Sequence, residues 1–304
     1  MALDRLEAMR AFCRIVEVGS FSAAADSLGV AKTTVSGQLQ ALESLLGIKL
    51  LHRSTRKVSA TTEGSAYYLR ARAVIDDVDE LEASISQSRN VVRGRVRIEM
   101  PSPVGILFVV PALGGFTARY PEIHLDIGCS ERVVDLVQEG VDCAIRGGVI
   151  SDQDLVCRPI GQMHFCFCAS PTYLASAGPL KSPADLPSHK HFGFKFPATE
   201  RRYVPTLTRG DASFTLDQPP TMYFNNGSAT AAAAVAGLGI AFLPTAEAVR
   251  HFNTGALVPV LPEWRLASMP LCVVYPYTRH LSARVRAFTD WVTTLMANDP
   301  LWSP

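Results

Sequence analysis

Between Phe21 and Leu46 the chain reads FSAAADSLGVAKTTVSGQLQALESLL, and no other stretch restricts the fold as much. Phe21, Ala24, Ala25 and Leu28 recur at i, i+3, i+4 and i+7, one apolar stripe at helical period. Ser22 is placed as the N-cap, Gly29 supplies the left-handed residue that ends the helix, and Val30 is expected to pin the turn to a core. A second helix begins at once. Val35, Leu39, Leu42 and Leu46 form its inward face, while Lys32, Thr33, Thr34, Ser36, Gln38 and Gln40 point outward. Short hydroxyls, amides and an ammonium on an exposed helix edge can reach base edges and phosphates in a major groove. Two amphipathic helices around a glycine also occur in all-helical packings that never meet nucleic acid.

The next segment favours DNA. Ile48 to Ser59 alternates apolar and polar residues like a small hairpin, and it carries Lys49, Arg53, Arg56 and Lys57 without an acid. Such a ribbon beside a reading helix lies along phosphates and adds affinity without sequence choice; otherwise it is a solvated basic turn. The formal net charge of the 304 residues is only +1, which excludes a uniformly basic coat, so DNA contact depends on this local cluster. Upstream, residues 3–18 read as a helix with Leu6, Met9, Phe12, Cys13 and Val16 inward, which completes a three-helix core.

The run SFSAAADSLGVAKTTVSGQLQALESLLGIKLLHRSTRKVSATTEG resembles the winged helix-turn-helix of the LysR-type transcriptional regulators. It has their alanine-rich scanning helix, the V-S-x-x-(I/L)-x-x-L-E recognition helix and the L-x-R-(S/T)-x-R wing. Two departures stand out: Ala31-Lys32-Thr33 replaces a common Ser-Gln-Pro, and Gly37 stands where the family often has arginine. The resemblance implies an α/β protein with an N-terminal all-α winged helix-turn-helix domain, a long linker helix, and a two-lobed effector domain like that of periplasmic binding proteins. The corresponding boundaries are 1–61, 62–90 and 91–304, with lobe I at 91–163 and 267–304 and lobe II at 164–266. Ser22, Lys32, Thr33, Thr34, Ser36, Gln38, Gln40, Arg53, Arg56 and Lys57 are the DNA-binding candidates.

From Thr62 to Asn90 the pattern is helical, with Tyr67, Ala71, Val74, Val78, Leu81 and Ile85 at alternating steps of four and three. Asp76, Asp77, Asp79, Glu80 and Glu82 crowd the other side, which leaves a narrow seam suited to a partner helix. Tyr67, Val74, Val78, Leu81 and Ile85 are therefore the dimerisation candidates; a helix packed only on its own domain is the alternative. A two-fold pair of reading helices implies an operator that is an imperfect inverted repeat.

Beyond Gly94 the grammar changes to alternating strands and helices: a strand at 95–100, helix 104–119, strand 123–128, helix 131–139 and strand 141–146. Further strands are expected at 163–169, 221–224, 240–243 and 269–275, with an alanine-rich helix at 229–236 and a last helix at 282–296. This order implies a mostly parallel sheet, with ligands at the carboxyl ends of its strands. Ser102, Pro103, Ser130 and Arg146 fall at such ends, and Asn226, Gly227 and Ser228 open a helix whose positive end favours an anion. Phe194, Lys195 and Phe196 are the apolar and basic wall on the second lobe. The resemblance also implies that Ser102 contacts an effector carboxylate, and a small acid is the expected ligand. Simple capping for the serines and a salt bridge for Arg146 are the competing roles.

Enzyme readings find little support. No Gly-x-Ser-x-Gly elbow occurs, and Gly237-Leu238-Gly239 follows a helix instead of opening one. His189-Lys190-His191 has no neighbouring acid or cysteine to complete a metal shell and reads as a solvated loop. Seven scattered cysteines lack metal spacing, and no cofactor is implied. The N-terminus lacks a signal-peptide core and Ala229 to Pro244 is too short for a membrane span, so a cytoplasmic, nucleoid-associated protein is expected. Its expected partners are duplex promoter DNA, a small effector and itself, as a dimer or tetramer, with RNA polymerase a further candidate. A solute-binding module with a helical protein-interaction head, or an α/β metabolic enzyme, are the readings to test against.

Overall fold

A computed structural model describes residues 4–53, 58–85, 92–150, 152–197, 201–277 and 281–302. The chain forms two compact units, Met1–Gly94 with Asp135–Gly140, and Arg95–Val134 with Val141–Pro304.

In the first unit, α1 (Arg5–Val18) starts where the Asp4 carboxylate accepts the Leu6 and Glu7 amides, each at 3.1 Å. The cap of α2 (Phe21–Leu28) is Ser20, and Ser22 lies exposed in the first turn. Ser20 is extended, so its hydroxyl can turn back and accept the Ala23 amide at 3.4 Å. The helix ends at Gly29 (φ +67°), where the Val30 amide reaches the Ala25 carbonyl at 3.1 Å. Val30 itself is 40% exposed, so this backbone bond, and not its side chain, holds the turn.

α3 (Lys32–Leu46) buries Val35, Leu39 and Leu42. Its fourth buried residue is Glu43, while Leu46 faces solvent. β1 (Leu51–Arg53) and β2 (Val58–Ala60) pair antiparallel, Leu51 opposite Ala60, as a short wing. The Thr61 hydroxyl then donates to the Lys49 carbonyl at 2.9 Å and accepts the Gly64 amide at 2.9 Å, starting α4 (Thr62–Ile85). Gly64 is required by close approach, since a Cβ there would stand 1.9 Å from the Leu50 carbonyl oxygen.

The heptad seam of α4 divides. Ala71 and Ile75 are buried in the core of this unit, and Tyr67 meets Phe12 edge-on at 5.6 Å between centroids. Val74 and Leu81 are 47% and 60% exposed, with Val78 half-buried, so they form a second face that the unit leaves uncovered. Arg10 pairs with Asp79. The side chain of Ile85 lies outside the described residues.

The second unit opens with β3 (Gly94–Met100), which runs through Pro101 into a helix over Ser102–Arg119. That helix comprises α5 (Ser102–Val104), a π-helical turn at Gly105–Val109, and α6 (Val110–Arg119). It is long and apolar enough to cross a membrane by composition. A third of it is buried, and Phe116 packs against Tyr120, Phe288 and Trp291.

β4 (Ile123–Cys129) and β5 (Cys143–Gly147) follow, but residues 131–139 form turns where a helix was expected. The Asp135 carboxylate takes the Gln138 amide at 2.8 Å and Glu139 takes the Asp135 amide at 3.2 Å, local bonds that compete with a helical ladder. β6 (Leu155–Met163) and β7 (Phe165–Ala169) are separate strands broken at His164.

The other lobe continues with α7 (Pro171–Ala177), a 3-10 turn at Pro183–Ser188, β8 (Phe192–Phe194), β9 (Thr206–Arg209), β10 (Ala212–Thr215) and β11 (Met222–Phe224). Then come α8 (Gly227–Val235), β12 (Ala241–Pro244), α9 (Thr245–Asn253), β13 (Val258–Val260) and β14 (Arg265–Leu266). β15 (Met269–Pro276) returns to the first lobe and α10 (Ala283–Ala297) packs there.

The first lobe's sheet has the order β4-β3-β5-β15-β6. β3 and β5 are parallel, but β15 runs antiparallel to both neighbours, so the sheet is mixed and not mostly parallel. In the second lobe the order is β12-β7-β13, and β7 is covered on both sides. Phe167 and Ala169 pack with Leu186, Leu207 and Ile240, while Cys168 packs with Phe192, Ala231 and Leu243.

Candidate DNA-reading edge and ligand cavity

Along the outward edge of α3, Lys32, Thr33, Thr34 and Gln40 are exposed, with Ser36 and Gln38 half-buried. Nothing lies within 4 Å of where a Gly37 Cβ would stand, so the edge is open at that position. The helix has no side-chain cap, because Ala31 occupies that position; the Thr34 and Val35 amides bond the Ala31 carbonyl at 2.9 and 3.3 Å, and no side chain takes the amides before them. A helix start with free donors attracts phosphate oxygens.

Glu43 ties this helix to the wing. Its Oε1 accepts the Leu50 amide at 2.9 Å and the Leu51 amide at 3.4 Å, and its Oε2 lies 2.7 Å from Lys49 Nζ. Burial opposes the charge, but Lys49 and the two amides outweigh it and hold the carboxyl below its usual range. Arg53 stands on β1, and its side chain, like all of Arg56 and Lys57, lies outside the described residues.

A cavity of about 570 Å³ lies in the second unit, where β3, β4 and β5 end and the second lobe begins. It is mostly apolar, and its size falls within the range of about 300–1,000 Å³ used by small-molecule sites. Pro103, Ser130, Arg146, Phe194, Phe196 and Gly227 line it. Asn226, Ser228 and Lys195 do not. Asn226 spends its side chain capping α8 by accepting the Ala229 amide at 3.0 Å, Ser228 is exposed, and the Lys195 ammonium sits 4.9 Å above the Tyr223 ring.

Ser130 accepts the Arg132 amide at 3.4 Å, and the Arg146 guanidinium donates to the Val134 carbonyl. Ser102 lies behind the wall, buried, with its hydroxyl and amide given to the carboxylate of Glu131. Burial pushes the Glu131 carboxyl above the usual range, against the pull of those two bonds. Its Oε1 is buried and has no hydrogen-bond partner among the described residues.

Several wall residues were not singled out from the sequence. Phe165 and Tyr203 each stack on Phe242 at 4.8 Å, giving three rings on one side, and Met163 and Met269 sit near them. Strand alternation in FCFCA placed Phe165 on one side of β7, but nothing local revealed its distant partners. Glu131 was legible as a charge directly after a strand end, and the expected helix over 131–139 drew attention away from it.

His189 and His191 are buried, contrary to the expected solvated loop, and they serve the fold. His189 Nδ1 lies 3.3 Å from the Tyr173 hydroxyl, and His191 Nδ1 lies 3.2 Å from the His189 carbonyl. No cluster of metal-binding side chains occurs among the described residues. All seven cysteines are free. A thiol bond from Cys168 draws the Cys166 thiol below its ordinary range and pushes its own thiol up.

Comparison with known proteins gives both units a family. Residues 6–65 match the bacterial regulatory helix-turn-helix of the lysR family, and residues 89–297 match the LysR substrate binding domain. An HTH-type transcriptional repressor of Pseudomonas aeruginosa is 37% identical over 299 residues, covering 98% of this chain and 94% of that protein. CrgA, a LysR-type transcriptional regulator from Neisseria meningitidis, superposes with a TM-score of 0.59 at 30% identity, covering 95% of this chain and 97% of that one. The full-length Vibrio cholerae virulence activator AphB gives a TM-score of 0.59 at 26% identity, covering 97% of this chain and 99% of that one. The chain therefore belongs to the LysR family of transcriptional regulators.

Proposed function

We infer that this LysR-type regulator binds promoter DNA as a homodimer, with dimers pairing into tetramers, and that a small molecule in the 570 Å³ cavity sets its response. The observation that carries the reading is the joint presence, in one chain, of a polar helix edge beside a wing and a largely apolar cavity in a separate unit. Thr34, Ser36 and Gln38 read base edges, Lys32 and Gln40 flank them, and Arg53, Arg56 and Lys57 hold phosphates. The uncovered Val74, Val78 and Leu81 face of α4, with Tyr67 at its start and Ile85 at its end, supports self-association. Contact with RNA polymerase and residence on the cytoplasmic nucleoid follow from this role.

Fluorescence anisotropy with a promoter fragment and a random duplex tests it. The promoter is expected to bind at least tenfold more tightly at moderate salt, and both affinities fall as salt rises. Equal affinities with every candidate ligand tried would remove the regulatory reading and favour a protein-binding head.

A further inference from the structure

Four rings in the lining of the 570 Å³ cavity are arranged as aromatic rings arrange themselves around one another. Phe165 and Phe242 lie 4.8 Å apart between centroids at 15° between planes, and Tyr203 lies 4.8 Å from Phe242 at 25°, so these three are close to parallel. Phe196 stands at 85° to Tyr203, with centroids 6.3 Å apart. All four keep accessible surface: Phe165, Tyr203 and Phe242 are half-buried, and Phe196 is 40% exposed.

Parallel and perpendicular pairs are the two arrangements that aromatic quadrupoles favour. A flat ring laid parallel to Tyr203 stacks with the first three and meets Phe196 edge to face, whereas a saturated ring has no quadrupole to align. Met163 and Met269, also in the lining, carry thioethers that favour aromatic neighbours. A cavity of roughly 150 Å³ accepts one benzene ring, so this one has room for about two or three fused rings.

Charge in the lining does not suit the small acid expected from the sequence. The Arg146 guanidinium already donates to the Val134 carbonyl, and Arg132 has a partner within the protein. Glu99, Glu131 and Asp152 stand in the same lining, so a carboxylate would join a wall with more acids than bases. Any charged head would also leave water for a largely apolar space.

We propose that the effector is an uncharged fused-ring aromatic compound held against Phe165, Phe242, Tyr203 and Phe196. This rests on the cavity being the effector site.

Calorimetry on the full chain with three probes tests it: 2-naphthalenemethanol, its saturated analogue decahydro-2-naphthalenemethanol, and 2-naphthoate, which keeps the rings and adds a charge. The wild type is expected to bind the aromatic alcohol roughly tenfold more tightly than either of the others. Phe165→Leu and Phe242→Leu each keep an apolar side chain and remove a ring, and both should bring the two alcohols to within about twofold of each other. That ratio is read within one protein, so a general loosening of a variant cancels. The saturated alcohol binding the wild type as tightly as the aromatic one overturns the ring preference, as does a ratio unchanged in both variants. Tighter binding of 2-naphthoate overturns the uncharged assignment. No binding by any probe overturns the proposal and leaves the promoter test of function as it stands. Selective binding that changes neither promoter affinity nor transcription in vitro keeps the ring site and removes the effector reading.

Discussion

Glu43 is a carboxylate 3% exposed near the end of the helix proposed to read DNA, so its energetics decide how firmly the wing is placed. The Lys49 ammonium is largely exposed and solvent screens it, so the Leu50 and Leu51 amides supply most of the stabilisation. Glu43→Ala leaves both amides without an acceptor and is expected to cost about 2 kcal/mol in denaturant unfolding of the first unit. Because the folded carboxyl is depressed, its contribution is complete above the unfolded value and disappears as pH falls through the folded value. The wild type should therefore lose stability on acidification more steeply than Glu43→Gln, and parallel acid limbs would refute the assignment. Gly37 acts in the opposite sense. With nothing within 4 Å of a Cβ, Gly37→Ala is expected to raise stability by about 1 kcal/mol, read as a higher denaturation midpoint. Gly37→Arg should also raise affinity for every duplex and steepen the salt slope by about one.

At the level of elements, α4 carries two faces with different duties. Ile75 is buried in the core of the first unit, so Ile75→Ala is expected to destabilise that unit by about 2–5 kcal/mol. Val74→Asp with Leu81→Asp changes only exposed positions, and the melt should shift by no more than about 0.5 kcal/mol. If that face pairs with a second copy, the double variant lowers the mass seen by light scattering; an unchanged mass places self-association elsewhere. The sequence showed the start and period of this helix, its expected end at Asn90 lying outside the described residues, but assigned a single seam, because alternating steps of three and four do not say which of two adjacent stripes meets which neighbour. Ile75 was missed for that reason. β6 was not among the expected strands: it carries Pro159 and Gly161, which an edge strand tolerates because a missing amide there breaks no ladder. At 131–139, Asp135 and Glu139 turned a helical pattern into turns by bonding local amides. The reading helix was legible almost to the residue, since its periodicity, its glycine stop and its wing agree. The aromatic wall of the cavity was not, because Phe165, Tyr203 and Phe242 come from separate segments and only the tertiary fold brings them together.

Across the whole molecule, a net charge of +1 means that DNA affinity rests on few cations, and each should count in the salt dependence. Arg53→Ala is expected to weaken binding to all duplexes and lower the salt slope by about one, while Thr34→Ala changes the preference among sequences with the slope intact. The link between the two units is thermodynamic and can be measured from either end. If ligand in the cavity changes promoter affinity by some factor, saturating promoter must change ligand affinity by the same factor. A ligand at a hundred times its Kd should also stabilise the second unit by about 2.7 kcal/mol. Anisotropy at saturating ligand and calorimetry at saturating DNA therefore have to agree. A ligand that stabilises the second unit and leaves promoter affinity unchanged has no differential affinity for the DNA-binding states, and the response would then have to arise after binding, at the step where polymerase is engaged. Transcription assays in vitro with and without polymerase-contacting promoter DNA distinguish that outcome from a change in occupancy.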